Sequence, residues 1–161
     1  MDYSVKYILE KKLYGVSVII TKSQSRNYSI INNFWREFNA KLKVSNLPNK
    51  NGGNWEKYGI TYRNGDTYKY FCGIPVEDDY INTVYEIFEI VEGEYAVFQH
   101  KGTMYNLKDT INTIYKSIIP NNKLDLNQKK YFHYELYNYQ FKWNKNESII
   151  EIYIPINNGI K

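Results

Sequence analysis

The sequence is poor in the residues that build several common kinds of site. Its single cysteine, Cys72, excludes an internal disulfide and a thiolate-rich metal centre. It has only two histidines, His100 and His133, and without an adjoining acidic cluster they do not make a metal site. We therefore expect structural roles for both histidines and for Cys72, and neither a metal nor a cofactor.

Long apolar runs and targeting signals are also missing. The stretch Val16–Ile20 is interrupted by Ser17 and falls far short of the roughly 20 residues that a membrane helix needs. The first four residues, Met1-Asp2-Tyr3-Ser4, bring neither a basic region nor a long apolar stretch. We therefore expect no secretion signal, no membrane partner and a cytoplasmic location.

Arginine is scarce, and this bears on nucleic acids. Of 21 basic residues only Arg26, Arg36 and Arg63 are arginine, and the formal net charge is a modest +4. Because arginine is the preferred reader of guanine edges, direct base-specific recognition of nucleic acid is not expected.

Tyrosine, in contrast, is in excess. The chain has 161 residues, 43% hydrophobic and 24% charged, which predicts one globular domain spanning residues 1–161. Its 18 tyrosines supply flat apolar area with a hydrogen-bonding tip, which suits ligand cavities and wet interfaces. The alternative is compositional drift in an AT-rich genome, since the chain is rich in Ile, Asn, Lys and Tyr. The composition leaves both open.

Segments of the chain recur at a separation of 80 residues. Ile74-Pro75-Val76 recurs as Ile154-Pro155-Ile156, and the same offset relates Trp35 to Tyr115. Several such matches in register along the chain indicate an internal duplication. We predict two repeats, about residues 5–79 and 84–158.

Each repeat begins with extended segments, interrupted by Gly15 in the first and by Gly93 in the second. Glycine between two such segments predicts a tight hairpin in each repeat. A helix follows in each repeat, from apolar residues at helical spacing, and Pro120 followed by Asn121-Asn122 is predicted to end the second helix.

Two further strands close each repeat. In the first they flank Asn64-Gly65-Asp66, a strong hairpin signal, and the linker Val44–Trp55 before them is predicted to be a surface loop. In the last strand Ile152 and Ile154 alternate with Glu151, so the isoleucines are expected to face the helices. The predicted fold is α+β, a curved antiparallel sheet with two helices on one face and a pseudo-two-fold axis.

The segment Tyr131–Tyr139 carries the most informative polar residue. Alternation places His133, Glu135 and Tyr137 on one face of a strand that is predicted to be central. A carboxylate there either faces solvent or lies in an aromatic-lined hollow, and the residues alone leave both open. In a hollow, Glu135 would attract a cationic ligand, and each aromatic face would add roughly 0.5–2 kcal/mol of cation–π attraction.

Three segments carry a resemblance to a known family: Glu94–Gly102, Tyr134–Asn138 and Glu151–Ile156, with weaker agreement around Trp35 and Gly59. They resemble the GyrI-like small-molecule-binding domains, the effector-binding modules of AraC- and MerR-type multidrug regulators of bacteria. The resemblance covers nearly the whole chain and is most specific in its second half.

The resemblance implies a ligand groove between the two helices, with Glu135 in contact with cationic, aromatic ligands and aromatic side chains as walls. The chain departs from the family pattern at Ile118-Ile119, where a tryptophan is usual, so the floor of the groove is expected to differ from that of the family. The complete set of expected ligand-binding residues is Glu135, Tyr137, Trp35, Tyr70, Tyr115, Phe38 and Phe98.

Three functions follow from this resemblance. The first is a stand-alone module that binds amphipathic, cationic or planar aromatic molecules, for sensing or sequestration in transcription regulation or drug resistance. The second is a hydrolase of cyclopropane-bearing alkylators, with Glu135 as general base and Tyr137 or Tyr115 positioning water. The third is a protein-directed module like the gyrase inhibitors. The first strand is expected within about ten residues of Met1, so any DNA-binding regulator would be a separate partner.

Overall fold

The structure is a computed structural model, and it describes residues 1–45, 56–77, 80–81 and 84–157. Eight strands and two helical regions lie within those ranges. The second helical region begins with a 3-10 turn at Met104–Asn106 and contains one π turn at Ile114–Ile118. In chain order the elements are β1 (Tyr3–Ile8), β2 (Lys11–Ile20), α1 (Gln24–Ser45), β3 (Lys57–Asn64), β4 (Thr67–Pro75), β5 (Glu86–Ile90), β6 (Gly93–Lys101), α2 (Leu107–Thr113), α3 (Ile119–Asn122), β7 (His133–Tyr137) and β8 (Ile149–Pro155).

The described strands form one curled antiparallel sheet in the order β1-β6-β8-β7-β3-β4-β2-β5. The two halves of the chain, β1–β4 and β5–β8, occupy equivalent places in this order. Exchanging β1 with β5, β2 with β6, β3 with β7 and β4 with β8 gives the same order read from the other edge. A pseudo-two-fold axis therefore passes between β3 and β7, where Gly59 pairs with Glu135. The predicted α+β architecture is confirmed.

The hairpins predicted around Gly15 and Gly93 are wrong. β1 pairs with β6, and β2 pairs with β4 and β5, so the first strand of each half pairs with strands of the other half. Gly15 lies inside β2, where an added Cβ would be 1.8 Å from the carbonyl oxygen of Cys72. The glycine marks a close approach of two backbones, which produces the same sequence signal as a turn.

The third predicted hairpin, between β3 and β4, is confirmed. Asn64 pairs with Thr67, which leaves Gly65 and Asp66 as a two-residue turn. Gly65 has a positive φ of 62°, a conformation that glycine adopts at no steric cost.

The second helical region ends at Asn122, within the predicted stop signal Pro120-Asn121-Asn122. Pro120 lies in the first turn of α3, and the region ends at Asn122, where Lys123 adopts a left-handed conformation with φ 52°. Proline has no N–H with which to continue the α-helical pattern, and the wider π turn at Ile114–Ile118 immediately precedes it.

Both faces of the sheet are buried. On the face toward the helices, Cys72, Ile152 and Ile154 are buried with the apolar side chains of α1 and the second helical region, as predicted. On the other face the sheet curls around a second core that is rich in tyrosine and includes Tyr58, Tyr95, Tyr131, Tyr134 and Tyr153. Part of the tyrosine excess is therefore core.

The predicted surface loop Val44–Trp55 is described only in part. Of the surface loop predicted for Val44–Trp55, residues 46–55 lie outside the described residues, whereas Val44 and Ser45 belong to α1. In the described part of the chain, every helix is too short or too polar to cross a membrane.

Gly15→Ala tests the close approach of β2 and β4. Its Cβ cannot be accommodated without moving the backbone at Cys72, so we expect the free energy of unfolding to fall by about 1–3 kcal/mol. Urea unfolding followed by circular dichroism measures this. Ser4→Ala, on the exposed edge strand, is the control, with a change within about 0.5 kcal/mol. Equal stability of the two variants would contradict the close approach.

Candidate ligand-binding groove

A groove runs between α1 and the second helical region, with β3 and β7 as its floor. Three adjoining cavities of about 260, 110 and 220 Å³ lie along it. The first and second share Asn32 and Met104 as lining residues, and the second and third share Thr61 and His133. We call the first cavity the Trp35 chamber and the third the His133 chamber, after the residues that line them.

Glu135 lies between the two chambers and lines the 110 Å³ cavity that connects them. Its side chain is only 4% exposed, so of the two alternatives that the sequence left open the buried one is correct. Its Oε1 accepts hydrogen bonds of 2.7 Å from the hydroxyl of Tyr70 on β4 and of 2.7 Å from that of Tyr137 on β7. A strand at the centre of the sheet thus presents an acid to the groove.

Burial shapes the electrostatics of Glu135. Desolvation raises the pKa of its carboxyl above the ordinary value, while the hydrogen bonds from Tyr137 and Tyr70 act in the opposite direction. Desolvation, followed by the charge of Glu135, raises the pKa of the phenols of Tyr70 and Tyr137 well above their usual range, so both remain donors at neutral pH. The described hydrogen-bond partners of this carboxylate are therefore neutral.

Gly59 makes room for this acid at the axis. It is the direct strand partner of Glu135, and a Cβ there would lie 1.9 Å from the hydroxyl of Tyr70 and 3.1 Å from Oε1 of Glu135. A larger side chain would displace the Tyr70 hydroxyl from the carboxylate. Because the axis brings these two positions together, the missing side chain of Gly59 leaves the space that the Tyr70 hydroxyl needs to reach Glu135.

Trp35 extends the network onto α1. Its indole Nε1 donates a 3.0 Å hydrogen bond to the hydroxyl of Tyr70, and its ring packs edge-on to that of Tyr137 at 5.0 Å between centroids. Trp35 and Tyr137 line the Trp35 chamber. The structure thus brings together four of the seven expected residues: Glu135, Tyr137, Trp35 and Tyr70.

Tyr115 lies on the other side of the acid, in the His133 chamber. Its hydroxyl is 2.9 Å from Nδ1 of His133, and burial raises its pKa. Burial lowers the pKa of His133 to about 4, so this ring is uncharged at neutral pH. His133 shares its face of β7 with Glu135 and Tyr137, as the sequence predicted.

The remaining two expected residues, Phe38 and Phe98, are placed in the core. Phe38 is 1% exposed and packs edge-on against Trp35, and Phe98 is fully buried against Tyr3. Neither lines one of the cavities of the groove. Their ligand-binding role stays a prediction that this placement does not favour.

Several groove residues were not predicted. Phe141 and Trp143 line the Trp35 chamber from the connection between β7 and β8. Two aromatic residues in this otherwise polar connection are the signal that could have indicated them. Met104, at the start of the second helical region, lines two of the cavities and has no distinctive sequence signal.

Basic residues stand at the rim of the groove. Arg36 and Lys57 line the Trp35 chamber, and Lys108 lines the connecting cavity. Lys57 donates a 2.5 Å hydrogen bond to Asn39, and Lys108 donates one of 2.9 Å to the carbonyl of Tyr105. The described hydrogen bonds of these two lysines thus go to groups other than Glu135.

His100 and Cys72 lie apart from the open groove. His100 is buried, with Nδ1 2.6 Å from the hydroxyl of Thr110 and Nε2 2.8 Å from the carbonyl of Thr103. Cys72 is fully buried, and desolvation raises the pKa of its thiol well above the usual range. Among the described residues, no group of three or more His, Cys, Asp or Glu side chains is placed to hold a metal ion.

The sequence profile of Cass2, the integron-associated effector-binding protein family, matches residues 5–156. The chain belongs to this GyrI-like family, which confirms the resemblance seen in its motifs. No curated protein matches the chain.

Solved structures share the fold at low sequence identity. The structure of SAV2435 bound to tetraphenylphosphonium is 14% identical with a TM-score of 0.75, over 98% of this chain and 95% of that one. An integron cassette protein of Vibrio cholerae is 18% identical with a TM-score of 0.60, over 96% and 95%. The C-terminal domain of EcmrR is 19% identical with a TM-score of 0.62, over 98% of each chain. The fold is therefore one that occurs in effector-binding domains.

Glu135→Gln tests whether the buried charge costs stability. A folded-state pKa above the unfolded one means that the charge disfavours folding at neutral pH, and that stability is regained as pH falls through the folded pKa. We expect the variant to have a higher melting temperature than the parent at pH 7.5, and this difference should shrink as the pH falls and Glu135 becomes protonated in the parent.

The matched control is Glu147→Gln on the exposed turn, which should leave the melting temperature unchanged. Differential scanning calorimetry between pH 4 and 8 measures both variants. A less stable Glu135→Gln variant at pH 7.5 would show that the carboxylate is a structural element of the fold.

Proposed function

We propose that this protein binds amphipathic aromatic cations in the groove and serves to sense or sequester them. The observation that carries the proposal is Glu135, a buried carboxylate whose described partners are the neutral hydroxyls of Tyr70 and Tyr137. A carboxylate with no positive partner in a desolvated place is costly to the free protein. A cationic ligand supplies the missing charge.

The walls around this acid favour an aromatic ligand. Trp35 and Tyr137 line the Trp35 chamber from opposite elements, and Phe141 and Trp143 line its outer part. Aromatic rings attract cations by roughly 0.5–2 kcal/mol each and pack well against flat apolar surfaces. The cavities along the groove approach the volume of about 300 Å³ and more that small-molecule pockets usually have.

The basic residues at the rim do not reverse this preference. Arg36 is exposed, so its interaction with a charge in the groove is screened by water and salt. Two unit charges 4 Å apart interact by about 1 kcal/mol in water but by about 4 kcal/mol at an effective dielectric constant of about 20, which is typical near a protein surface. Lys57 and Lys108 are half-buried, so Glu135, at 4% exposure, is the most deeply buried of the acidic and basic side chains that line the groove.

The comparisons support this proposal. SAV2435, which shares the fold, was solved with tetraphenylphosphonium, a cation with four phenyl rings. The C-terminal domain of EcmrR, a protein whose complex with DNA has been solved, also shares it. By analogy, we propose that the present chain works in transcription regulation or drug resistance, with a DNA-binding regulator as a separate partner.

Binding of rhodamine 6G tests the role of the charge. Its neutral reduced form, dihydrorhodamine 6G, serves as the matched ligand of similar shape. We expect Glu135→Gln to weaken rhodamine 6G by about tenfold or more, because a buried charge pair is lost, and dihydrorhodamine 6G by less than about threefold. Calorimetric titration measures both. Equal losses for the two ligands, or no binding by the parent protein, would refute the proposal.

The same site predicts a pH dependence. A bound cation stabilises the charged form of Glu135, so affinity for rhodamine 6G is highest when this carboxyl is ionised. Affinity should fall as pH decreases through its raised pKa, and Glu135→Gln should show a flat profile. An unchanged affinity between pH 7.5 and 4.5 in the parent protein would contradict control by this carboxyl.

A hydrolase is the second candidate, and the raised pKa of Glu135 is the observation that favours it. A general base works best when its pKa approaches the operating pH, which an apolar pocket promotes. The hydroxyl of Tyr137, 2.7 Å from Oε1, would position the water. Incubating a cyclopropane-bearing alkylator with catalytic amounts of protein distinguishes the two functions. Multiple turnovers that Glu135→Gln abolishes indicate hydrolysis, whereas protection that saturates at one equivalent indicates binding.

A further inference from the structure

The His133 chamber contains a buried polar atom that has no partner. His133 is 6% exposed, and among the described residues its Nε2 is the buried side-chain atom that lacks a hydrogen bond. The other ring nitrogen, Nδ1, lies 2.9 Å from the hydroxyl of Tyr115. An unpaired buried nitrogen costs free energy, and native structures rarely keep one without a reason.

Asn27, a buried polar residue of the groove, is already engaged in hydrogen bonds. Asn27 lines both cavities that His133 lines. Its Oδ1 accepts from the backbone N–H and the hydroxyl of Thr21, at 2.8 and 2.9 Å, and its Nδ2 donates to the Thr21 carbonyl at 2.8 Å. Asn27 could turn to His133 only by breaking these bonds. In the described part of the chain no group bonds Nε2, which leaves this nitrogen available to a group of the ligand.

Two acceptors compete for the proton of the Tyr115 hydroxyl. The carbonyl of Phe132 is 3.2 Å away and can accept this bond beside the one from Gln128, and Nδ1 of His133 is 2.9 Å away. We assign the proton to the shorter contact. Nδ1 is then an acceptor, and in a neutral ring the remaining proton lies on Nε2.

We propose that the His133 chamber is a second, uncharged subsite of the groove, in which Nε2–H of His133 donates a hydrogen bond to an acceptor oxygen of the ligand. This rests on the proposed function, because the cationic part of the same ligand is held at Glu135. His133 and Glu135 are two residues apart on one face of β7, a separation of about 7 Å along the strand. The favoured ligands are aromatic cations with an ester, amide or ketone oxygen about 7 Å from the charge.

Two phosphonium probes of similar shape test the subsite. They are tetraphenylphosphonium and (3-methoxycarbonylphenyl)triphenylphosphonium, which adds one ester group. We expect the parent protein to bind the ester probe about tenfold more tightly, because the ligand satisfies an otherwise unpaired buried donor. Calorimetric titration of both probes gives the ratio of affinities within one preparation of protein, so it does not depend on the amount of folded protein.

Two variants at His133 distinguish the roles of its two ring nitrogens. His133→Asn keeps a polar atom near the position of Nδ1 for Tyr115 but removes the group at Nε2, whereas His133→Gln keeps a donor near Nε2. We expect the preference for the ester probe to vanish in His133→Asn and to persist in His133→Gln. Tetraphenylphosphonium should bind all three proteins within about twofold, since it offers no acceptor oxygen.

The outcomes distinguish the subsite from the cation site. If the parent and His133→Asn bind both probes equally while Glu135→Gln weakens both, the subsite is refuted and the cation site remains. If neither probe binds the parent, both are refuted. Nitrogen-15 NMR of the imidazoles gives a second measurement, since the chain has only two histidines. A proton on Nδ1 of His133 in the free protein would contradict the assigned donor.

Discussion

The candidate site depends on one interaction, the buried carboxylate of Glu135 held by the hydroxyls of Tyr70 and Tyr137. Its position on the pseudo-two-fold axis explains why a duplicated fold carries one acid. The strand partner across the axis is Gly59, and a second carboxylate there would lie against the first with the same charge. The two halves therefore differ at this position, and the difference places one acid at the centre of the groove.

The asymmetry at the axis extends outward along the groove. The symmetry that exchanges Gly59 with Glu135 also exchanges Lys57 with His133 and Thr61 with Tyr137. The same backbone therefore presents an aromatic wall on one side of the acid and a neutral, hydrogen-bonding histidine on the other. Duplication supplies a groove with two equivalent ends, and divergence of these few pairs gives the ends different chemistry.

Local patterns predicted the elements of this fold but not how the two halves pair. Alternation in β7 placed Glu135 on the correct face, because the direction of a side chain depends only on its own strand. Gly15 was misinterpreted, because a turn and a close approach of two backbones both require glycine, and only the distant Cys72 distinguishes them. The unpaired Nε2 of His133 could not be predicted, because a missing partner is a property of all the surrounding elements.

The buried tyrosines of this chain fall into two groups with different hydrogen-bond partners. On the far face of the sheet, the Tyr131 hydroxyl hydrogen-bonds that of Tyr95 and accepts from the backbone of Val91, so these phenols satisfy one another and close a core. At the groove, the 80-residue offset relates Tyr70 to Ile150 of the other half, a fully buried apolar residue. The hydroxyl that distinguishes Tyr70 from Ile150 accepts from Trp35 on α1 and donates to Glu135 on β7. It therefore joins a helix to the carboxylate on which the proposed function depends, a connection that the other half of the sheet does not make at this position.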